Sequence, residues 1–489
     1  MSAASAPPAA PERCLWAQRA WLGGGWAEQV RLRIGADGCW NEIAAGIAAP
    51  PADATLLHGP VLPGLVDAHS HAFQRAFAGL AERREDGRRH DDFWSWRERM
   101  YAVARRITPE QLRAIAAQLY IELLQGGYTR VCEFHYLQHR EDGTPYADDP
   151  LALSWALADA AVEAGIGLTL LPVLYERAGF DQPALRAEQA RFRQGADATW
   201  DACRRIEAAR RPQVAAGLAI HSLRAAAPAS ILRLRQLAEG WDGPIHIHVA
   251  EQQREVEECL AATGLRPVQW LAHQPELLDA RWQLVHATHV DADEIDAVAG
   301  ARAGVVLCPS TEANLGDGIT DLPGWLDARD GAVRLSIGSD SNVTRGWREE
   351  LRWLEYGQRL AHRSRNVAPG LELGRHCASG AERLYRRVLD GGAAAAFGTR
   401  AQRTFVRGAR ADLLVVDTRD PSLIGIPGDH LLDALVFSSP GRPWRDVLVG
   451  GRWIVREHRH AHAAAIAGRF EEAMEELWSA DRREAAAGR

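Results

Sequence analysis

The sequence predicts a (β/α)8 barrel of the TIM type together with a small β-sandwich domain formed from the N-terminal and C-terminal segments. Three observations support this prediction. Apolar, strand-like runs alternate with helical stretches through the middle of the chain, which is typical of repeated βα units. Polar residues able to do chemistry cluster where most of these runs end. The chain has 489 residues, enough for a barrel of about 250 residues and an accessory domain.

Eight apolar runs are the candidate barrel strands. The opening run, VLPGLVDAHSHAFQRAFAG, extends from Val61 to Gly79 and turns polar as the strand ends. The other seven runs are residues 128–136, 167–175, 213–222, 244–251, 282–289, 303–310 and 333–341. The parallel strands of a barrel end at one common face, and the active site of a TIM barrel lies there. The barrel is expected to span residues 61–399.

Short apolar segments on either side of the barrel predict the second domain. Between residues 15 and 47 they alternate with Gly-rich turns, and similar segments return at residues 404–416 and 446–455. Such segments are typical of small antiparallel strands. We expect residues 13–60 and 400–460 to pair with each other as the β-sandwich domain.

The two ends of the chain and the tryptophans lead to simpler expectations. The Ala/Pro-rich residues 1–12 are expected to be disordered, and residues 461–489 to form an amphipathic helical tail. Trp325, Trp347 and Trp353 occupy apolar positions of helical stretches, so we expect them to serve packing and not to form a base-stacking platform.

The composition is that of an ordinary globular protein, with 47% hydrophobic and 25% charged residues. No apolar run approaches the roughly 20 residues that a membrane span needs. The start of the chain also lacks the basic and then apolar pattern of a signal peptide. These features predict a cytoplasmic protein that does not bind a membrane.

Charge and residue usage exclude several classes of function. The net charge of −7 does not favour binding to nucleic acid, and it means that an anionic substrate must be held by local arginines. All 57 basic residues are arginine, so Schiff-base catalysis by lysine and metal bridging by a carboxylated lysine are excluded. The seven cysteines are scattered and include no C-x-x-C pair, which argues against a disulfide framework and a structural zinc finger.

Histidines and one carboxylate at three strand ends form a candidate metal site. His69 and His71 lie two residues apart at the end of the first strand, so their side chains share a face, although polar loops also contain H-x-H. His248 ends the fifth strand and Asp340 the eighth. Zinc binds imidazole nitrogens and carboxylate oxygens and keeps one position for water. We expect one divalent ion, Zn²⁺, held by these four residues, and interpret His246 as structural.

The order of these residues resembles the amidohydrolase superfamily. The chain contains, in this order, the motifs H-x-H, H-x-x-E, a lone His and S-D. The one-metal deaminase branch of that superfamily has the same order. The segments HSHAFQRAFAG, EFHYL, HSLRA, HVAEQ and EELRWLEYGQRL are more closely similar to the N-formimidoyl-L-glutamate deiminases of histidine degradation. They lie between Pro63 and Leu360, and the terminal segments fit the small β-sandwich of that family. Asn342 is a departure, because the family more often has histidine there, as SDSH.

The resemblance implies a reaction and its catalytic residues. The reaction is hydrolysis of N-formimidoyl-L-glutamate to N-formyl-L-glutamate and ammonia, with Glu251, His286 and Asp340 as the catalytic residues. Glu251 is expected to protonate the imine nitrogen, and His286 and Asp340 to take the proton of the attacking water. His286 is expected to bond to that water, although a five-coordinate zinc would include it as a ligand. The family also implies a homodimer.

The same resemblance implies a pocket for a small dicarboxylate substrate. Arg224, three residues after His221, can form a bidentate fork with one carboxylate, and Arg97 is a candidate for the other. Gln74, Tyr136 and His221 complete the implied pocket. Without the resemblance, any single arginine of this chain is more often a solvated or ion-paired surface residue than a substrate ligand.

Two other classes of function remain open at this stage. A deaminase of the same scaffold acting on a purine, pyrimidine or triazine ring should carry aromatic and amide groups where two arginines are predicted. A barrel that serves only as an interaction platform should have lost a metal ligand or the glutamate, and all of them are present. Iron is the alternative to zinc.

Overall fold

The structure is a computed structural model that describes residues 13–84, 91–274, 277–372, 374–402 and 404–487. Residues 1–12, which are predicted to be disordered, lie outside the described residues. The described chain forms two compact units. The first holds the residues up to Gly64 together with Gln402 to Ala461, and the second holds Leu65 to Ala401 together with the residues from His462 onward.

The strands fall into four groups along the chain. The N-terminal group is β1 (Arg13–Leu22), β2 (Gly25–Ile34), β3 (Trp40–Ala44), β4 (Ala54–Leu57) and β5 (Val61–Leu62). The barrel group is β6 (Leu65–Ser70), β7 (Tyr128–His135), β8 (Gly167–Leu174), β9 (Val214–Ala216), β10 (Leu218–Ile220), β11 (Ile245–Val249), β12 (Trp282–His286), β13 (Gly304–Leu307) and β14 (Arg334–Ile337). A short hairpin follows, β15 (Gly370–Glu372) and β16 (Arg375–Cys377). The C-terminal group is β17 (Leu413–Val416), β18 (Trp444–Val449), β19 (Arg452–Arg456) and β20 (Arg459–His460).

The first unit is one sheet to which both ends of the chain contribute. Its strand order is β20-β19-β18-β17-β5-β1-β2-β3, and β4 pairs with β1 outside this path. The N-terminal and C-terminal groups join where Val61 of β5 pairs with Val415 of β17. Its core includes Leu15, Trp40 and Leu448, all buried. The strand expected from residue 404 begins only at Leu413, because the preceding described residues form turns.

The second unit is the predicted barrel. Its strands are parallel and run in the order β14-β13-β12-β11-β10-β8-β7-β6, with β9 against β8. A bridge between Ser70 and Asp340 joins the first strand to the end of the last. All residues of β7 and β8 are buried, as expected for strands covered on both faces. The barrel and the sheet built from both chain ends confirm the predicted fold class.

The helices lie mostly in the second unit and follow its strands along the chain. They are α1 (Phe93–Ala104), α2 (Pro109–Gln125), α3 (Ala152–Ala164), α4 (Ala196–Ala208), α5 (Pro228–Leu237), α6 (Gln253–Thr263), α7 (Pro267–His273), α8 (Ala292–Ala301), α9 (Pro309–Leu315), α10 (Leu322–Asp327), α11 (Trp347–His362), α12 (Gly380–Phe397), α13 (Leu431–Phe437) and α14 (Ala463–Ala487). Within the described ranges, no helix has the length and apolar character needed to cross a membrane.

The helix boundaries follow from local chemistry. Thr108 caps α2, accepting a hydrogen bond from the backbone N–H of Gln111, and Pro109 occupies the first helical position. Trp325 and Trp347 are buried, as expected for residues that serve packing, but Trp353 is 49% exposed on α11, so only about half of its side chain is covered. An apolar position in a helical pattern does not by itself reveal whether another element covers it.

Candidate metal centre and active site

The four predicted metal ligands lie together at the carboxyl ends of β6, β11 and β14. Nε2 of His69 lies 3.1 Å from Nε2 of His71 and 3.0 Å from Nε2 of His248. Oδ1 of Asp340 lies 3.4 Å from Nε2 of His69 and 3.2 Å from Nε2 of His71. All four side chains are buried. Residues separated by more than 250 positions in the chain therefore share one buried centre.

Backbone contacts between the first and last strands bring these ligands together. The N–H of Asp340 donates to the carbonyl of His69 at 2.9 Å, and the N–H of His71 donates to the carbonyl of Asp340 at 3.1 Å. A Cβ on Gly338 would lie only 2.7 Å from Cβ of His69, closer than carbon atoms pack. The residue at position 338 must therefore be glycine for β14 to approach β6 this closely.

The donor set fits a divalent metal ion such as zinc. Nδ1 of His71 lies 3.0 Å from the carbonyl oxygen of Phe134, and a carbonyl only accepts, so the proton is on Nδ1. Nε2 of His71 then presents a lone pair toward the Nε2 atoms of His69 and His248 and the carboxylate of Asp340. Converging imidazole nitrogens and a carboxylate oxygen, buried together, are the donor set that Zn²⁺ prefers.

Asn342 forms hydrogen bonds to the backbone of two of the predicted metal ligands. Its amide nitrogen donates to the carbonyl oxygens of His71 at 3.0 Å and Asp340 at 2.9 Å, and Oδ1 lies 2.9 Å from the Ser339 hydroxyl oxygen, which is also 2.6 Å from Oδ2 of Asp67. The side chain is fully buried. Asp340 and Asn342 both adopt left-handed backbone conformations, with φ of 46° and 62°, which Asp and Asn tolerate better than most residues. The asparagine that departs from the family pattern thus has its amide groups bonded here.

His286 and Glu251 lie on the open side of the metal ligands. Nε2 of His286 is 3.6 Å from Oε1 of Glu251 and 3.7 Å from Oδ2 of Asp340. On the other side of the ring, Nδ1 of His286 is 3.4 Å from Oε1 of Glu312, which also accepts from the N–H of Cys308 at 2.8 Å. Glu312 was not predicted as a site residue from the sequence. Its position in the first turn of α9, directly after the seventh predicted strand, would have placed it at the face where the strands end.

The electrostatics of this pair follow from burial and neighbouring charge. Burial raises the pKa of Glu251 to about 7, so acid and base forms both occur near neutral pH. Burial alone lowers the pKa of His286, but the charge of Glu251, the hydrogen bond with Glu312 and the charge of Asp340 together raise it to about 10. This arrangement provides a proton donor and acceptor beside the metal ligands.

A cavity of about 580 Å³, counting its mouth open to solvent, leads from the surface to these residues. Among the predicted site residues, the ten that line it are His71, Gln74, Arg97, Tyr136, His221, Arg224, His248, Glu251, His286 and Asp340. His69, the remaining predicted metal ligand, does not line this cavity. The cavity wall also includes residues that the sequence did not single out, among them Tyr101, Tyr175 and Glu255.

Arg97 and Arg224 are held in the wall by aromatic contacts. Asp92 caps α1 by accepting from the N–H groups of Trp94 and Ser95, both at 3.0 Å. Trp94 lies in the first turn of α1, with the guanidinium carbon of Arg97 4.5 Å and that of Arg224 5.4 Å from its ring centroid.

Neither arginine forms an ion pair with a carboxylate among the described residues. Nε and Nη1 of Arg97 are buried and donate to no described group. Burial lowers the pKa of Arg97, but a guanidinium keeps its charge at neutral pH. The cavity wall therefore holds two buried positive charges, and the charge of Arg224 offsets part of the rise in pKa that burial causes at the Glu251 and Glu255 carboxyls.

Gln74, Tyr136 and His221 complete the wall near the metal ligands. The amide nitrogen of Gln74 donates to the Tyr136 hydroxyl at 3.2 Å, and Oε1 of Gln74 is buried without a described donor. The ring of His221 lies 5.1 Å from that of His248. His246, interpreted as structural, places Nε2 2.8 Å from the carbonyl oxygen of Ala395, outside the cavity lining.

Comparisons with known proteins agree with these features. Residues 61–454 match the model of the amidohydrolase family, and residues 12–55 match the model described as formimidoylglutamate deiminase HutF, N-terminal domain. A formimidoylglutamate deiminase from Pseudomonas aeruginosa is 48% identical over 471 residues, 95% of this chain and 99% of that protein. A 5-methylthioadenosine/S-adenosylhomocysteine deaminase from Natronomonas pharaonis is 30% identical and covers 90% of this chain and 91% of its own. The crystal structure of an amidohydrolase from Brucella melitensis has a TM-score of 0.86 and 41% identity, covering 95% of this chain and 100% of its own.

Proposed function

This chain is a hydrolase that belongs to the amidohydrolase family, and we propose that it converts N-formimidoyl-L-glutamate to N-formyl-L-glutamate and ammonia in histidine degradation. The observation that carries the proposal is the pair of buried arginines, Arg97 and Arg224, in one cavity with the candidate metal ligands. Two guanidinium groups match the two carboxylates of this substrate. The 48% identity to a formimidoylglutamate deiminase over nearly the whole chain supports the same reaction.

We propose that His69, His71, His248 and Asp340 hold one divalent ion, Zn²⁺. The convergence of their nitrogen and oxygen atoms, together with the proton position on His71, supports this assignment. When bound, zinc supplies Lewis acidity and lowers the pKa of a water molecule that it holds.

Glu251 and His286 are proposed to move protons around the reacting carbon. Burial raises the pKa of Glu251, which offsets the lowering that a bound cation causes, and Glu251 donates a proton to the imine nitrogen in one step and takes one up in another. The pKa of His286 falls when a cation binds beside it, because like charges disfavour the protonated form. The imidazole and the carboxylate of Asp340 can then accept the proton of the attacking water, while Glu312 keeps the ring oriented.

The remaining wall residues are proposed to orient the substrate. Arg97 and Arg224 bind the carboxylates, and the unpaired Oε1 of Gln74 accepts a hydrogen bond from the formimino N–H. Tyr136 holds Gln74 through its hydroxyl group, and His221 closes the cavity beside His248. The formimino carbon is thereby directed toward the metal ligands, and water is displaced from the cavity.

The alternative, a deaminase for a heterocyclic ring, has weaker support. Two buried guanidinium groups without described carboxylate partners are costly unless a bound anion neutralises them. A neutral purine or pyrimidine offers no anion to Arg97, whose buried Nε and Nη1 have no described acceptor, whereas Arg224 interacts with the carboxyls of Glu251 and Glu255. A dicarboxylate supplies an anionic partner to each guanidinium group.

We also propose a homodimer with a cytoplasmic location. Trp353, Tyr356 and Leu360 lie three and four residues apart on one face of α11 and are 49%, 38% and 75% exposed. Such an apolar stripe supports contact with a second protein surface. Light scattering should give the mass of two chains, and Leu360→Arg should shift it to one chain if α11 forms the contact. Cell fractionation tests the location.

Substrate profiling tests the proposed reaction. The purified protein is incubated with formimidoylglutamate, guanine, cytosine and N-formylglutamate, and ammonia release is measured. Ammonia is expected from formimidoylglutamate alone, with N-formylglutamate as the organic product by nuclear magnetic resonance. Formamide and glutamate as products would mean that the other C–N bond is cleaved, and faster turnover of a ring substrate would favour the alternative.

A further inference from the structure

We infer that Tyr175 is a further substrate-contacting residue, whose hydroxyl donates a hydrogen bond to a carboxylate of the substrate. We further infer that Gln189 is the residue that positions it. This inference rests on the proposed function, because it takes the substrate to be a dicarboxylate. Neither residue stood out in the sequence, and Gln189 does not line the cavity.

The inference begins from a pair of buried tyrosines in the cavity wall. Tyr101 lies on α1 and Tyr175 directly follows β8, and their hydroxyl oxygens are 3.4 Å apart. Both side chains are buried and both line the cavity. The amide nitrogen of Gln189, itself fully buried, lies 2.8 Å from the Tyr175 oxygen and 3.3 Å from the Tyr101 oxygen.

The orientation of the Gln189 amide is set by its other contact. Oε1 of Gln189 accepts a hydrogen bond from the backbone N–H of Arg186 at 3.1 Å. The NH₂ group must therefore face the tyrosines and donate to both of their oxygens. Each tyrosine accepts from Gln189, so the hydroxyl protons of both must find acceptors elsewhere.

One of these protons has no acceptor in the described part of the chain. One tyrosine can donate to the other across 3.4 Å, and that leaves the second O–H without a described partner. Buried donors are nearly always paired in native proteins. Since both tyrosines line the cavity, a ligand bound there can supply the missing acceptor.

The surroundings identify this acceptor as an anion. Arg97 and Arg224 line the same cavity, and Nε and Nη1 of Arg97 have no described acceptor. Guanidinium groups donate and cannot accept, so they offer nothing to a free tyrosine proton. A carboxylate has two oxygens with about four acceptor sites and can take an arginine fork and a hydroxyl donor together.

Tyr175 is the better candidate of the two tyrosines. Its oxygen receives the shorter bond from Gln189, and its ring lies 4.3 Å from the ring of His221, beside the metal ligands. Tyr101 instead lies with its ring 5.6 Å from the guanidinium carbon of Arg97. With Tyr101 donating to Tyr175, the Tyr175 proton is left for the ligand.

The test compares Tyr175→Phe with the wild-type protein on three substrates. These are formimidoylglutamate, N-formimidoyl-4-aminobutyrate, which lacks the α-carboxylate, and N-formimidoyl-2-aminobutyrate, which lacks the side-chain carboxylate. For the full substrate, kcat/KM should fall about tenfold or more, mainly through KM. The loss should disappear for the truncated substrate that lacks the contacted carboxylate and persist for the other.

Two further variants separate positioning from general damage. Gln189→Met should show the same substrate pattern as Tyr175→Phe, because it frees Tyr175 without removing the hydroxyl. Tyr128→Phe is the matched control, since Tyr128 is a buried tyrosine at the start of β7 that does not line the cavity. It should leave KM unchanged. Titration calorimetry with N-formylglutamate should show weaker binding, about tenfold, for Tyr175→Phe.

Each outcome decides a different statement. If the wild-type protein releases no ammonia from formimidoylglutamate, the proposed function is overturned. If it does, but Tyr175→Phe loses activity equally on all three substrates or keeps its KM, the inference about Tyr175 is overturned. Should Tyr175→Phe fail to fold by circular dichroism, Gln189→Met decides, and an unchanged KM in that variant overturns the inference.

Discussion

Replacing Arg224 with methionine removes one of the two buried positive charges of the cavity while keeping a side chain of similar length. A charge-assisted hydrogen bond contributes about 1.5 to 3 kcal/mol, and each 1.4 kcal/mol is about a factor of ten. We expect kcat/KM for formimidoylglutamate to fall roughly 10- to 150-fold, measured as initial rates of ammonia release. The fall should be much smaller for a truncated substrate that lacks the carboxylate bound by Arg224.

The stability of the Arg224→Met protein should not fall with its activity. Arg224 is buried and makes no ion pair with a described carboxylate, and the Glu255 and Glu251 carboxyls that interact with its charge can take up a proton when it is removed, because burial already raises their pKa values. The methionine stem retains contact with the ring of Trp94, which lies 5.4 Å from the guanidinium carbon. The melting temperature by calorimetry should therefore stay the same or rise.

Arg254 provides the matched control for this experiment. Its guanidinium carbon lies 4.6 Å from the ring centroid of Trp94, as close as that of Arg97, but its side chain is 61% exposed and pairs with Glu258. Arg254→Met should leave kcat/KM within about twofold, because an exposed ion pair contributes little. Equal losses in the two variants, or equal losses of Arg224→Met on full and truncated substrates, would refute the assignment of Arg224 as a carboxylate ligand.

Four more predictions test the site. Elemental analysis should find about one zinc or iron ion per chain, chelation should abolish activity and zinc should restore it; two tightly bound ions per chain would contradict the one-metal site. Glu251→Gln should retain the metal while kcat falls by on the order of 10², and loss of metal together with activity would make Glu251 a ligand. Asn342→Ala should lower both the metal content and the free energy of unfolding, the latter by about 1 to 3 kcal/mol, because a buried amide bonded to two carbonyls is lost. Gly338→Ala should also lose metal, because the added Cβ would displace His69, whereas Gly468→Ala, where a Cβ meets open space, should bind metal normally.

The barrel strands were predictable because each one is encoded locally. A buried parallel strand is a short apolar run, and the polar residue that ends it is next to it in the chain, so His69, His248 and His286 could be related to strand ends without a structure. The burial of a helix face, in contrast, depends on elements that are distant in the chain. Trp353 sits in an apolar helical pattern and yet is exposed, because burial depends on which element packs against that face.

The sequence by itself determined the barrel, because each strand is encoded locally. It also determined the residue types able to bind a metal ion and the acid beside them, because these residues lie two or three positions apart at strand ends. Only the tertiary structure decided which groups support them. The Tyr101 and Tyr175 hydroxyls meet across 74 positions of the chain, and Asn342 reaches His71 across 271. Such contacts depend on how whole strands and helices pack against one another. No periodicity in the chain encodes the distance between two elements that far apart, so no local pattern could reveal them.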